Sequence, residues 1–228
     1  MELLIVIILI AISVVLLGIV FRFNFQTAKS LQDDKKLEKK TDKFPNNITV
    51  AKEMLKILNN EKVKIEKNES NNTSLYIAVT DKILIANIKN NYSRIQTIAH
   101  ECLHSIQDKR ILLFNFIFSN ISIIYWLIIM VLTITNTIQN IEIQLSILLL
   151  FTIIKLAVRG FLETDAIIKA EYLSKEYMEN KGILEKKELE SIMEKYKKIS
   201  KIAVPNTIIQ ILTSSFTGII VYYIISLI

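Results

Sequence analysis

The sequence predicts a mainly α membrane protein: four transmembrane helices joined to a small α+β cytoplasmic portion that carries an H-E-x-x-H helix. Three observations lead there. The 228 residues are 51% hydrophobic and include only four Gly and two Pro. The mean hydropathy of +0.39 is high for a water-soluble domain of this size. The apolar residues also stand in blocks, several long enough to cross a hydrocarbon core of about 30 Å. Finally, both histidines of the chain fall in one short stretch, His100-Glu101-Cys102-Leu103-His104.

The first block, Leu3 to Phe21, carries no charge, and Arg22 follows it directly. No basic segment precedes it and no small-residue cleavage site follows. It therefore reads as an uncleaved anchor (1–22) rather than a signal peptide. Residues 23–110 form a polar segment. Gln32 to Lys43 reads as a solvated, charge-dense linker, and Pro45-Asn46-Asn47 breaks the chain. Thr49 is placed to cap a helix from Val50 to about Asn59, with Ala51, Met54, Leu55 and Leu58 on one face. Val63 to Ile65 suggests a short strand. Ser74 to Val79 and Lys82 to Ile88 suggest two more, joined by a turn at Thr80-Asp81. Tyr76, Ala78, Ile83 and Ile85 alternate as half-buried strand residues do. Ser93-Arg94-Ile95-Gln96 has the form of a capping box and would start the H-E-x-x-H helix.

A transmembrane hairpin (111–158) follows. Ile111 to Thr135 is one span, 136–140 a loop, and Ile141 to Val158 the next span. Glu142 and Lys155 lie near the ends of that span, where each can snorkel. Residues 159–205 read as two cytoplasmic helices, Phe161 to about Asn180 and Leu184 to Ala203, separated by Gly182. Pro205 is expected to break the chain before the last span (206–228), in which Ser214 and Gly218 give a small-xxx-small packing signal.

Every Lys and Arg lies between Arg22 and Arg110 or between Lys155 and Lys201. By the positive-inside rule both polar segments face the cytoplasm. This predicts a multi-pass plasma-membrane protein with both termini outside. The formal charge of +6 then reports topology and contact with the lipid bilayer, not a nucleic-acid partner. Cys102 is the only cysteine, so no intramolecular disulfide framework exists. Two residues from His100, it falls on the opposite face of the helix and reads as a packing residue. Oligomeric state is left open.

On a helix, residues four apart lie one above the other. His100 and His104 can therefore turn two imidazoles to one Zn²⁺, with Glu101 offset by about 100° and placed to act on a water as general base. A catalytic zinc takes three protein ligands and keeps an open position. With no third histidine, the last ligand must be a carboxylate. The hairpin returns the chain to the membrane face where His104 lies, and the first acid after that return is Glu163. Glu163 is the expected third ligand and Asp165 the expected partner of a ligand histidine, with Asp165 or Glu171 as the alternatives for the metal. Tyr172, Tyr177 or a backbone N–H are candidates for stabilising an oxyanion. The Ser74–Ile88 hairpin either offers an edge strand to an extended peptide or simply covers the helix.

The chain resembles the YugP-type neutral zinc metallopeptidases of bacterial membranes. The likeness runs through the N-terminal anchor and Val50-Ala51-Lys52-Glu53-Met54-Leu55. It continues in Ala99-His100-Glu101-Cys102-Leu103-His104-Ser105-Ile106-Gln107, against A-H-E-x-G-H-A-x-Q, and in Glu163-Thr164-Asp165-Ala166, against E-F-D-A. A Gly-Ile-Leu follows at Gly182 to Leu184. Leu103 and Ser105 depart from the small residues around the second histidine, and the strand region lacks the family's acidic and aromatic pattern. The resemblance implies a zinc peptidase and leaves its substrates undefined; a peptide or membrane-protein substrate is the expected partner. The competing expectation is a zinc-stabilised membrane scaffold or signalling subunit without catalysis.

Overall fold

The computed structural model describes residues 2–32, 34–68, 73–86, 91–138 and 140–227. The expected strand end at Asn87-Ile88, the loop residue Gln139 and the last residue of the final span, Ile228, lie outside them. The described residues form seven helices and a three-stranded sheet, in the order α1 (Glu2–Gln32), α2 (Lys35–Thr41), α3 (Asn47–Ile57), β1 (Lys64–Asn68), β2 (Leu75–Ile77), β3 (Lys82–Ala86), α4 (Arg94–His104), α5 (Lys109–Ile134), α6 (Ile141–Lys181) and α7 (Lys186–Ile225). Helices α1, α5, α6 and α7 are each long and apolar enough to cross a membrane.

The chain divides into two compact units. The first comprises Met1–Phe25, Phe114–Phe161 and Pro205–Ile228, and the second Gln26–Leu113 and Leu162–Val204. The first unit is built from apolar helical segments. Ile7, Ile10, Ile129, Leu145, Leu148, Ile219 and Tyr222 form its buried core. Many equally apolar residues face outwards, among them Leu9, Val15, Leu16, Ile124, Val131 and Ile153. Trp126 Nε1 donates to Gly218 O at 2.9 Å. A Cβ on Gly218 would lie 3.4 Å from that indole nitrogen, in van der Waals contact with the ring. This gives the Ser214/Gly218 signal a concrete partner.

The second unit holds the sheet, in the order β1-β3-β2. β2 runs antiparallel to β3 through the expected turn, where Asp81 takes a φ of 51°, a left-handed conformation that Asp tolerates. β1 pairs with β3 in parallel, an arrangement the strand pattern did not reveal. Ile83 and Ile85 are fully buried and Leu84 half-buried between them, which agrees with the alternation.

Several expected boundaries move. The charged stretch after α1 is not a plain linker, because α2 forms within it. Asp34 accepts from the Lys36 and Leu37 N–H groups, and Leu37 and Thr41 are buried. The α3 cap is Asn46, whose side chain accepts from Thr49 N at 2.9 Å, so the helix starts earlier than Val50. Asn59, with φ 53°, ends it in the left-handed cap conformation. Ser93 makes no side-chain cap bond. Its hydroxyl donates to Asn91, and Gln96 reaches α7 instead of closing a box.

Two expected breaks are absent. α6 continues from Ile141 to Lys181 without a stop near Phe161, and α7 passes through Pro205. A proline removes one helical bond and crowds the preceding turn. Breaking an apolar helix there would unpair several more backbone groups. The stop after α6 is Gly182, with φ 60°, as expected of a glycine after a helix end.

Candidate metal centre

α4 is an amphipathic helix locked into the second unit by long-range bonds. Arg94, only 5% exposed, donates through Nη1 to Pro45 O and Asn47 Oδ1, both at 2.9 Å. Through Nη2 it donates to Thr41 O at 2.7 Å and Phe44 O at 3.0 Å. Burial lowers its pKa, against the pull of nearby groups, while these four oxygens satisfy the guanidinium. At the other end Asn60 Nδ2 donates to Ser105 O and Oγ. Ile95, Ile98, Ala99 and Cys102 fill the inner face and are fully buried. Cys102 Sγ lies 3.8 Å from Ala51 O, so the cysteine is the packing residue the spacing suggested.

The opposite face presents His100 and His104. Their Nε2 atoms are 3.1 Å apart. Glu163 Oε2, from α6, lies 3.5 Å from His100 Nε2 and 3.8 Å from His104 Nε2. All three side chains are half-buried, and their ligand atoms lie within 4.8 Å of one another. Bonds of about 2.0–2.1 Å in a tetrahedron put donor atoms about 3.3 Å apart. The three observed separations bracket that distance, so the donor set fits a metal ion.

The tautomer of His104 supports the same reading. Gln107 Nε2 donates to Leu162 O at 2.8 Å and Asp165 Oδ2 at 3.1 Å. That fixes the amide orientation and leaves Gln107 Oε1 facing His104 Nδ1 at 2.8 Å. An amide oxygen only accepts, so His104 Nδ1 carries the proton and a neutral ring turns the lone pair of Nε2 to the cluster. Asp165 was expected to orient a ligand histidine directly. The bond to His104 Nδ1 is made by Gln107, and Asp165 supports it from behind while Lys169 Nζ lies 2.6 Å from its other oxygen.

Glu101 is 7% exposed, and its Oε2 accepts from Tyr76 N, on β2, at 2.7 Å. Burial pushes its pKa up to about 7, against the opposing pull of His100 and the Tyr76 N–H. Burial also works against a charged His100, but the bond to Glu163 and the charges of Glu101 and Glu163 hold its pKa above the ordinary value. His104 moves the other way, lowered by burial and by the neighbouring His100. Of the two histidines, His100 is therefore the one that holds a proton more readily.

Glu171 and Tyr172 are not in this cluster. They line a surface cavity with Lys175, Lys186 and Leu189. Tyr177 directs its hydroxyl to Glu53 Oε2 at 2.9 Å. Two contributors were not assigned roles from the sequence, Gln107 and the Tyr76 N–H. Gln107 stands three residues after His104, within the quoted motif, and that spacing was a readable signal. The Tyr76 amide had none, since backbone donors leave no trace in residue type. Comparisons of the chain with protein-family models, curated proteins and solved structures find no match.

Proposed function

We propose that this chain is an integral-membrane zinc metallopeptidase, in line with its resemblance to the YugP-type peptidases. The observation that carries the reading is the convergence of His100, His104 and Glu163 beside a buried glutamate with a near-neutral pKa. His100, His104 and Glu163 would hold the metal. When bound, zinc supplies a Lewis acid that polarises a scissile carbonyl and makes water a better acid. Glu101 takes the proton from the attacking water and hands it to the leaving amine. The Tyr76 N–H holds Glu101 in place, and Gln107 keeps His104 in its ligating tautomer. The distribution of Lys and Arg supports a cytoplasmic location for the second unit, and the four long apolar helices support a multi-pass anchor.

The test uses the purified full-length protein in detergent, its metal content, and a pool of quenched fluorescent peptides. Wild type should hold about one zinc per chain and cleave members of the pool. Glu101→Gln should keep the metal and lose about 10²–10⁴-fold in rate. Equal cleavage by both proteins would remove Glu101 from the chemistry. Metal retention with no cleavage by either would favour the scaffold.

A further inference from the structure

Within the first unit a cavity of about 220 Å³ lies among α5, α6 and α7. Leu148, Phe151, Thr152 and Lys155 form its α6 wall. These positions, three and four apart, share one helix face, so Lys155 stands on the cavity side of α6. Ile123 and Ser214 also line the cavity and both are exposed, so it opens to the surroundings of the helices. Around helices long and apolar enough to cross a membrane, those surroundings are lipid.

The lining differs from one end to the other. Lys155 is six residues, about 9 Å, from Phe161, where this part of α6 leaves the unit. From Lys155 the wall runs back about 10 Å to Leu148, where Trp126 and Ile219 make the lining apolar. Most polar groups in between are already engaged. Ser122 and Thr152 donate to Phe118 O and Leu148 O of their own helices, and Trp126 Nε1 donates to Gly218 O. Lys155 is not engaged. The only acids in the segments of this unit are Glu2 and Glu142, and Glu142 lies about 20 Å from Lys155 along α6. The charged group that Lys155 feels is Arg159, another cation. A lysine at membrane depth is costly unless it meets an anion or reaches the interface, and among the described residues no anion meets this one.

We infer that this cavity binds an anionic phospholipid: one acyl chain lies against Leu148 and Trp126, and the Lys155 ammonium donates to the phosphate. Basic pockets between membrane helices are suited to anionic headgroups. An apolar cavity of about 150 Å³ admits a benzene ring, so this one takes a stretch of one chain and leaves the rest of the lipid in the bilayer. A zwitterionic headgroup brings its own cation to its phosphate, whereas phosphatidylglycerol brings none. The site should therefore favour phosphatidylglycerol over phosphatidylcholine by about fivefold, the worth of one lysine near an anionic headgroup. The inference rests on the membrane reading of α5, α6 and α7 and is independent of the peptidase.

Trp126 is the chain's only tryptophan and it lines the cavity, so its fluorescence reports the occupant. The full-length protein is reconstituted in phosphatidylcholine vesicles that contain a small, equal fraction of either phosphatidylglycerol or phosphatidylcholine brominated in the acyl chain. Bromine quenches a tryptophan that it touches. Titration should give the brominated phosphatidylglycerol about a fivefold higher affinity. Lys155→Gln should bring that ratio close to one. Ser215→Leu narrows the cavity without touching the charge and should lower quenching by phosphatidylglycerol to the phosphatidylcholine level. Arg159→Gln removes a cation one turn away that is not part of the lining, and should keep most of the preference. Equal quenching by the two lipids in wild type, or a preference that survives Lys155→Gln, would overturn the inference. So would an equal loss in Arg159→Gln and Lys155→Gln, which would reduce the site to diffuse surface charge. Inorganic phosphate should not displace the brominated lipid. Displacement by it, or stronger quenching by a brominated fatty acid than by phosphatidylglycerol, would overturn the phospholipid as the occupant.

Discussion

The two units use polar side chains in different ways. In the apolar unit most side-chain hydrogen bonds close on a carbonyl four residues back, as in Ser13 to Leu9 O, Ser122 to Phe118 O, Thr152 to Leu148 O and Thr217 to Thr213 O. Such bonds silence a hydroxyl without tying one helix to another. Trp126 to Gly218 O and Thr133 to Tyr222 are among the bonds that cross between helices. In the other unit, beside local bonds, many reach far along the chain: Arg94 to Thr41 and Phe44, Gln96 to Ser200, Tyr196 to Tyr92 O, Gln107 to Leu162 O. Shape packing suffices for helices that only need to lie side by side. A three-donor cluster with separations near 3.5 Å needs elements fixed against one another by directional contacts.

This contrast can be broken by substitution. The largest effect is expected at Arg94. Arg94→Met strips the donor from four oxygens in the α2–α3 connection and its flanks, and should destabilise the unit by about 3 kcal/mol or more. Amide hydrogen exchange of α3 and α4 in detergent would show it as lost protection. Next comes Gln107. Gln107→Leu frees the His104 tautomer and should weaken metal binding about 10–100-fold, read by competition with a chromogenic chelator. Gln107→Glu still accepts the His104 proton and should recover part of that loss. An unchanged affinity in both variants would remove Gln107 from the site. The smallest effect is expected in the apolar unit. Trp126→Phe deletes one helix-to-helix bond and should cost only about 0.6 kcal/mol, measured by thermal unfolding in the same detergent. A cost equal to that of Arg94→Met would erase the distinction between the units.

Much of the architecture was legible because it depends on composition over long windows. Four apolar runs and the two-histidine turn needed no tertiary knowledge, and Glu163 followed from the order of spans and acids. The points missed all turn on partners far away in sequence. Residues around Pro205 and Phe161 carry local signs of a boundary, yet the helices continue through them. The stretch around Leu37 looks solvated until α2 buries it. Gln96 fits a capping box by spacing, but a better acceptor awaits it on α7. The parallel β1–β3 pairing brings together strands that are not neighbours in the chain. Asp165 was placed in the right neighbourhood one bond too close to the ring, because a glutamine of the same motif stands between them.

Cys102 has a practical consequence. It is the chain's single thiol, fully buried beneath the histidine face, and burial raises its pKa further. Thiol reagents attack the thiolate, so the native chain is a silent background for maleimide labelling. Single cysteines introduced at exposed positions on either side of each apolar helix can be labelled one at a time in intact cells, with no need to remove the natural one.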